Sequence, residues 1–190
     1  MNRQFASVCL ALAALQASSA WSAESFTLDP THTFPSFEIR HQGVSIMRGK
    51  FNRSQGRAIL DPEGPEGLIE VSVDAASVDT GHDGLNQKLL ASSFFNTGQF
   101  PEIRFSARNL EYREGKPVRA SGTLTLLGVS RPVVLDIRDF SCTRQFLTFR
   151  HLCGADVQLT IRRSEFGMDY GIPLIGDEVK LAIEVEGVRD

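Results

Sequence analysis

The segment Glu178–Glu186 reads EVKLAIEVE, and apolar residues occupy every second position of it. Val179, Leu181 and Ile183 therefore fall on one face of a β-strand, and the charged residues fall on the other. A chain with many such strands needs a shared apolar interior, which a barrel or a sandwich supplies. The same period of two recurs in five further segments: Ile69–Val73, Ile103–Ala107, Leu124–Leu126, Val133–Ile137 and Val157–Ile161.

Most of these strand patterns follow one another after short turns, so neighbours in sequence should pair antiparallel. Eight or nine of them lie between Phe34 and Gly187. About eight strands can close into a barrel that holds side chains or one ligand, and closure removes the sheet edges that favour aggregation. The sequence predicts an all-β fold, an eight-stranded or slightly larger antiparallel lipocalin-like β-barrel. A β-sandwich is the alternative.

The period changes between residues 79 and 98, where Leu85 and Leu89 are four residues apart. This spacing predicts one helical excursion from the sheet. Thr80 or Asp83 is the expected N-cap, because short polar side chains accept hydrogen bonds from the first turn of a helix.

The first 23 residues have the layout of a secretory signal peptide. One arginine precedes an apolar run from Phe5 to Leu15, which is too short to span a bilayer, and small residues follow. We expect residues 1–23 to be removed and residues 24–190 to form one exported, periplasmic domain without a transmembrane segment. Three positions are open for the cleavage: after Ala20, after Ser22 or after Ala23.

Two cysteines, Cys142 and Cys153, remain after the leader. An even pair in an exported protein predicts a disulfide, here one that closes a hairpin loop. Such a bridge is worth about 2–3 kcal/mol in the chain-entropy view. A redox or metal role is the alternative, but the chain has neither a Cys-x-x-Cys motif nor a His-rich segment.

The charge balance argues against nucleic acid as a partner. The chain carries 20 basic and 23 acidic residues, which gives a net charge of −3, and its sequence contains no basic stripe. A mildly acidic surface repels phosphate backbones.

Several short blocks occur in a fixed order over nearly the whole chain after the leader: Leu28–Thr33 (LDPTHT), Phe37–His41 (FEIRH), Gly49–Phe51 (GKF), Val78–Gly81 (VDTG), Ser93–Asn96 (SFFN), Phe100–Phe105 (FPEIRF), Gly122–Val133 (GTLTLLGVSRPV), Arg163–Met168 (RSEFGM) and Gly176–Val179 (GDEV). As an ordered set they resemble the YceI-like family of exported polyisoprenoid- and lipid-binding proteins. The resemblance implies a lipocalin-like barrel that encloses a long isoprenoid or acyl chain, with no known catalytic turnover.

The Phe content is the strongest sign of a ligand that the residues themselves provide. Twelve of the 13 Phe follow the leader, and an interior of Phe and aliphatic residues suits an isoprenoid tail, since burying one CH₂ is worth about 0.8 kcal/mol. An ordinary filled core is the alternative. The candidate ligand-binding interior comprises Phe37, Ile39, Phe51, Val71, Val73, Phe94, Phe95, Phe105, Leu124, Leu126, Leu135, Leu159, Ile161, Phe166, Leu181 and Ile183.

Arg163 continues the apolar phase of Val157–Ile161, which is unusual for a guanidinium. A buried charge has to be paired. We expect either a protein carboxylate at the barrel end or, as a possible head-group contact, a polar or pyrophosphate group of a ligand.

No catalytic residue, cofactor or metal ligand is predicted. The chain lacks a Gly-x-Ser-x-Gly elbow, a His-Glu-x-x-His motif and a phosphate-cradling glycine loop. Its four histidines lie on scattered segments without ligand spacing, which favours surface or capping roles.

These observations and the resemblance predict periplasmic binding, transport or storage of a long-chain isoprenoid lipid, a polyprenyl quinone or polyprenyl phosphate. A fatty acid or amide is the second ligand class. A filled barrel that acts as a stress-response or protein-interaction module is the alternative function, and an enzyme acting on a lipid is the third. A homodimer is left open.

Overall fold

β-strands form wherever the sequence alternates apolar and polar residues over a sufficient length. The computed structural model describes residues 23–64, 67–146 and 148–190. The expected signal peptide lies outside the described residues, apart from Ala23. The described strands and helix are β1 (Glu24–Leu28), β2 (Phe34–His41), β3 (Ser45–Phe51), β4 (Ser54–Leu60), β5 (Leu68–Asp74), β6 (Val78–Asp79), α1 (Asp83–Leu90), β7 (Glu102–Arg113), β8 (Lys116–Leu126), β9 (Val129–Arg144), β10 (His151–Arg162) and β11 (Ile175–Arg189).

The sheet closes on itself through β1, which pairs antiparallel with β4 on one side and β11 on the other. The resulting ring has the order β1-β4-β5-β7-β8-β9-β10-β11. The predicted all-β barrel of eight strands is therefore confirmed, and the sandwich alternative is not the observed fold. The strand β11 spans 15 residues, which lets Gly187–Arg189 pair with β1 while Ile175–Glu184 pair with β2. The strands β2, β3 and β6 thus continue the sheet at one end of the ring.

The closing strand β1 was missed by the sequence analysis. It has five residues, and only Phe26 and Leu28 are buried. Two apolar positions next to a leader do not establish a period of two. Their burial, at 3% and 8% exposure, comes from partners that lie far away in the sequence.

The predicted helical excursion is present but shorter than expected. The helix α1 begins at Asp83, after His82, whose extended backbone lets its Nδ1 accept a hydrogen bond from the Leu85 N–H at 3.0 Å. The N-cap is therefore His82, and the expectation of Thr80 or Asp83 was wrong. Thr80 instead donates its N–H to the side-chain oxygen of Asn86 at 2.8 Å.

Two inward-facing aromatic rings lie over glycines of the neighbouring strand. A Cβ on Gly49 would come within 2.5 Å of Cζ of Phe37. A Cβ on Gly122 would come within 2.8 Å of Cζ of Phe105 and within 2.4 Å of the carbonyl oxygen of Ser106. These glycines leave room for two of the rings that line the barrel interior.

Gly122→Ala is expected to destabilise the fold by about 1–3 kcal/mol, because the added methyl group meets a backbone oxygen that cannot move away cheaply. Urea unfolding followed by circular dichroism measures the change. Gly98→Ala is the matched control, since a Cβ there meets nothing within 4 Å. Equal unfolding midpoints for the two variants would contradict this explanation.

Candidate functional site

One apolar cavity of about 340 Å³ lies inside the barrel, which is within the usual size range of ligand pockets. Its two ends have different surroundings. The helix end carries α1, the β2–β3 turn and the 167–174 loop, and His41 and Met168 line the cavity there. The hairpin end carries the β9–β10 connection, and Leu60 and Phe140 line the cavity there. The cavity therefore extends along most of the barrel.

The structure brings together nearly all of the residues expected in the interior. Fifteen of those sixteen residues line the cavity, namely Phe37, Ile39, Phe51, Val71, Val73, Phe94, Phe95, Phe105, Leu124, Leu126, Leu135, Leu159, Ile161, Leu181 and Ile183. Phe166 is the exception and does not line the cavity. The strand β10 ends at Arg162, so Phe166 lies in the 3₁₀ turn Arg163–Phe166, where it is buried in the core outside the cavity lining.

Phe140 is a lining residue that sequence reasoning missed. Ile137 and Phe140 both line the cavity although they are three residues apart. Asp139 has φ 51°, and the pairing of β9 with β10 shifts between Gly154 and Asp156. This irregularity reverses the alternation. A period of two read along the sequence cannot reveal such a reversal, because the shift arises from the pairing of two strands.

The two phenylalanines of the helical excursion line the cavity at the helix end. The Phe95 ring packs edge-on against Phe51, with the ring centroids 5.3 Å apart. Phe94 packs in the same way against Tyr170, also at 5.3 Å. Phe95 therefore connects the segment after α1 to β3, and Phe94 connects it to the 167–174 loop.

The cavity wall is apolar apart from Thr33, His41, Thr80 and four cationic side chains. The charged lining residues are Arg48, Lys88, Arg104 and Arg163. No carboxylate among the described residues lines the cavity. Arg104 is largely exposed and donates its Nε–H to Glu102 at 2.8 Å. The electrostatic character of the lining is therefore weakly positive, with no acidic group to repel an anionic ligand.

Arg163 is fully enclosed, at 2% exposure, and its partners differ from those expected. The guanidinium donates to three backbone carbonyls, those of Gly176 at 2.7 Å, Met168 at 2.8 Å and Ile175 at 2.9 Å. Burial lowers the pKa of this guanidinium. The expected carboxylate contact is thus replaced by carbonyl groups of the 168–176 segment, which the side chain holds against the end of β10.

Two cationic side chains mark the helix end of the cavity. Arg48 donates its Nε–H to Glu38 at 2.7 Å. The Lys88 ammonium lies 5.4 Å from the ring centroid of Tyr170. A second, shallower depression lined by Met47, Arg48, Thr80, His82 and Leu85 adjoins the cavity and shares four of these residues with it. This end therefore places positive charge beside a solvent-facing opening.

The predicted disulfide between Cys142 and Cys153 is present. The two residues face each other across β9 and β10, with their Cα atoms 4.0 Å apart. The bridge closes the hairpin loop between the two strands, as expected for a structural staple.

One histidine has the capping role that the sequence suggested, and another has neighbours that the sequence did not reveal. His82 caps α1. His32 instead lies beside Asp29 and Glu186, and the nitrogen and carboxylate oxygens of the three residues lie within 4.8 Å of one another. These are the described residues best placed to hold a cation. The shortest contact in this group joins two of its own members, however, because Nδ1 of His32 lies 2.9 Å from Oδ2 of Asp29.

This contact changes the pKa of both residues. Hydrogen bonds from the Thr31 side chain, from His32 and from the Thr31 N–H lower the pKa of Asp29 to about 2. The hydrogen bond with Asp29, opposed by slight desolvation and aided by the charge of Glu186, raises the pKa of His32 above 6.5. The protonated imidazole and the ionised carboxylate therefore stabilise each other in the folded state.

The stabilisation by His32 should be complete below pH 6.5 and should disappear as the pH rises through the higher pKa of the folded state. The difference in free energy of unfolding between the protein and His32→Gln is therefore expected to be larger at about pH 5.5 than at about pH 8.5. The contribution of Asp29 to stability has the opposite pH dependence. It is present above pH 3.8 and is lost as the pH falls from 3.8 towards about 2. His151→Gln, at an exposed position, is the control. A constant difference across the two pH values would contradict the pairing.

No helix among the described residues is long and apolar enough to cross a membrane.

A closed antiparallel ring around one elongated apolar cavity defines a lipocalin-like barrel. The chain belongs to the YceI-like family, because the YceI-like domain matches residues 26–187. This membership agrees with the ordered blocks of the sequence.

Known relatives extend over almost the whole chain. The UPF0312 protein plu2095 of Photorhabdus laumondii is 30% identical over 178 residues, which cover 93% of this chain and 92% of the relative. The solved YCEI protein of Campylobacter jejuni is 26% identical with a TM-score of 0.70, covering 80% of this chain and 90% of that one. A polyisoprenoid-binding domain from Saccharophagus degradans, implicated in plant cell wall breakdown, is 18% identical with a TM-score of 0.64, covering 88% and 99%. The last of these shows the fold alone.

Proposed function

We propose that this protein binds one long-chain isoprenoid lipid inside the barrel and carries or stores it in the periplasm. The observation that carries the proposal is the elongated cavity, whose wall is apolar along the barrel and cationic at its rim. Such a cavity suits a ligand with a long apolar tail and a small polar head. A polyprenyl quinone and a polyprenyl phosphate are the two ligands that we place first.

The energetics favour a tail ligand. Each buried CH₂ contributes about 0.8 kcal/mol, so a tail of a few isoprene units gains enough to offset the loss of translational and rotational freedom. Apolar contacts with Leu, Ile, Val and Phe have no preferred direction, so the wall alone does not discriminate between tails of different length. Selectivity therefore has to come from the length of the cavity and from the head group.

We place the head group at the helix end, beside Arg48 and Lys88. The cavity meets a second depression there, and both cations are near its rim. A phosphate head would accept hydrogen bonds from Lys88 and from the N–H groups of Arg48 other than the Nε–H that Glu38 accepts. A quinone head would interact less strongly with these two charges. Arg163 is not part of this head-group site in our proposal. Its guanidinium donates to three backbone carbonyls, which argues for a structural role.

The relatives add support of a general kind. A structural neighbour from Saccharophagus degradans is a polyisoprenoid-binding domain, and the same barrel with an apolar interior occurs here. A binding role without turnover agrees with a wall that presents almost only carbon atoms to the ligand. The predicted leader supports export to the periplasm as the place of action.

Native mass spectrometry of the protein exported by its own leader tests the proposal. We expect a stoichiometric mass increment that is released by organic solvent and identified as a polyprenyl lipid. The same protein produced without residues 1–23 and refolded serves as the empty control, and it should gain the increment from added polyprenyl lipid. A bare polypeptide mass in both cases would overturn the proposal, and a fatty acid in the extract would replace the isoprenoid.

A further inference from the structure

The tip of the β9–β10 hairpin presents two aromatic side chains to solvent. We define the hairpin tip as residues 144–146 and 148–150. Phe146 is 88% exposed and Phe149 is 69% exposed. Large apolar side chains that are this exposed leave water only when another surface, such as a partner or a membrane, covers them.

The hairpin tip is held in one shape by its own hydrogen bonds. The Gln145 N–H donates to the carbonyl of Arg150, and the Phe149 N–H donates to the carbonyl of Gln145, both at 2.9 Å. The Thr148 hydroxyl donates to the Gln145 side chain at 2.6 Å. The disulfide between Cys142 and Cys153 joins the two strands just below the tip. The two Phe rings are therefore displayed on an ordered support.

The hairpin tip is basic although the whole chain is acidic. Arg144 and Arg150 flank it, and the sequence contains no Asp or Glu from Phe140 to Ala155, in a chain of net charge −3. Within the described ranges, neither arginine forms an ion pair with a carboxylate. The tip therefore combines exposed aromatic groups with positive charge that has no partner in the barrel.

We propose that the hairpin tip inserts its two Phe side chains into the interface of an anionic lipid bilayer. Aromatic residues favour the boundary between head groups and acyl chains, and Arg is attracted to anionic lipid heads within a Debye length. The two arginines therefore favour a negatively charged surface, and the two exposed rings favour a surface that apolar groups can enter.

The area of the hairpin tip also favours a bilayer over a protein partner. Two Phe side chains bury about 300–500 Å² at most, whereas a stable protein interface needs about 1,000 Å² or more. A bilayer imposes no such requirement, because its surface closes around a narrow projection. A second copy of the chain is therefore a weaker candidate for covering the tip.

This docking extends the proposed function without depending on it. Phe140, which lines the cavity, lies on β9 on the barrel side of the disulfide. A protein docked by the hairpin tip would hold the hairpin end of its cavity next to the bilayer. Vesicle binding is measured separately from lipid loading, so the two proposals can fail independently.

The helix end supplies a matched control. Val44 is 87% exposed and Leu174 is 66% exposed, and the Gln42 N–H donates to the carbonyl of Leu174 at 2.6 Å. The Arg40 guanidinium lies at this turn and donates to the carbonyl of Gly43 at 3.4 Å. The helix end therefore exposes comparable apolar groups next to a cation, so altering it tests whether any such surface binds vesicles or only the hairpin tip.

The test is co-sedimentation of the protein with lipid vesicles. The protein is the full chain after the leader, with its disulfide intact. One set of vesicles contains phosphatidylglycerol and the other is pure phosphatidylcholine. We expect binding to the anionic vesicles that weakens at high salt. F146S/F149S should weaken it at least about tenfold, and R144Q/R150Q by about fivefold for each arginine. V44S/L174S should bind as tightly as the unaltered protein. All these positions are exposed, so urea unfolding midpoints should be unchanged.

Equal vesicle binding by F146S/F149S and the unaltered protein would overturn the inference. So would loss of binding in V44S/L174S alone, which would assign docking to the helix end. A dimer in analytical ultracentrifugation that F146S/F149S abolishes would make the tip an interface between copies and would also overturn it. A protein that carries extractable lipid but ignores vesicles would refute docking and leave the proposed function standing. Vesicle binding without lipid loading would do the reverse.

Discussion

Leu159→Trp is expected to abolish lipid loading while the barrel stays folded. Leu159 and Leu181 face each other across β10 and β11, and both side chains line the cavity and are only half-buried. An indole at this position would occupy the space of about four or five CH₂ groups of the ligand. At about 0.8 kcal/mol for each group, the loss corresponds to a several-hundredfold weaker affinity.

Thr160→Trp is the matched control, because residue 160 is the next one along β10 and is exposed on the outer face. The lone Trp of the sequence is Trp21, so in protein that begins at Glu24 each variant carries a single Trp as its reporter. The emission of Leu159→Trp should be blue-shifted and that of Thr160→Trp should resemble free Trp in water. Full lipid loading by folded Leu159→Trp would remove this part of the cavity from the binding site.

Arg163→Met is expected to destabilise the protein by about 3–5 kcal/mol. The side chain is 2% exposed, and its removal leaves the carbonyls of Met168, Ile175 and Gly176 without their present donors. Buried acceptors that lose a charged donor incur their full desolvation cost. Urea unfolding of the purified protein measures the loss as a shift of the midpoint at constant slope.

Arg163→Lys should give an intermediate loss, since one ammonium cannot span the three carbonyl positions that a planar guanidinium reaches. Arg162→Met is the control at the exposed neighbouring position, and it should change the free energy of unfolding by less than about 0.5 kcal/mol. If Arg163→Met kept its stability but lost the lipid, Arg163 would contact the head group and the structural explanation would be wrong.

Much of the barrel could be predicted from local patterns. The alternation in Glu178–Glu186 is enough to orient β11, since a pleated strand puts successive side chains on opposite faces whatever lies next to it. Fifteen of the sixteen expected residues line the cavity for the same reason. The cysteine pair was predictable because Cys142 and Cys153 flank one short connection.

Other features depend on where the chain turns and on which distant strands pair. Phe166 was expected in the ligand-binding interior, but the chain turns after Arg162 and the ring is buried in the core outside the cavity lining. His32 keeps an exposed surface position, but it gained Glu186 as a neighbour at 3.9 Å because the segment before β2 meets the far end of β11, more than 150 residues later. Contacts of this kind depend on strand pairing over long sequence distances, which no local period encodes.

By itself, the sequence determined the strand faces, the helical excursion, the disulfide and the apolar character of the interior, because each of these depends on residue type and on spacing over a few positions. Only the tertiary structure decided that β1 closes the ring, that the interior remains a cavity, and that Arg163 is satisfied by carbonyls. Closure and cavity shape depend on how strands distant in the sequence pair and how far their side chains reach across the barrel. The partners of a buried charge depend on the same arrangement.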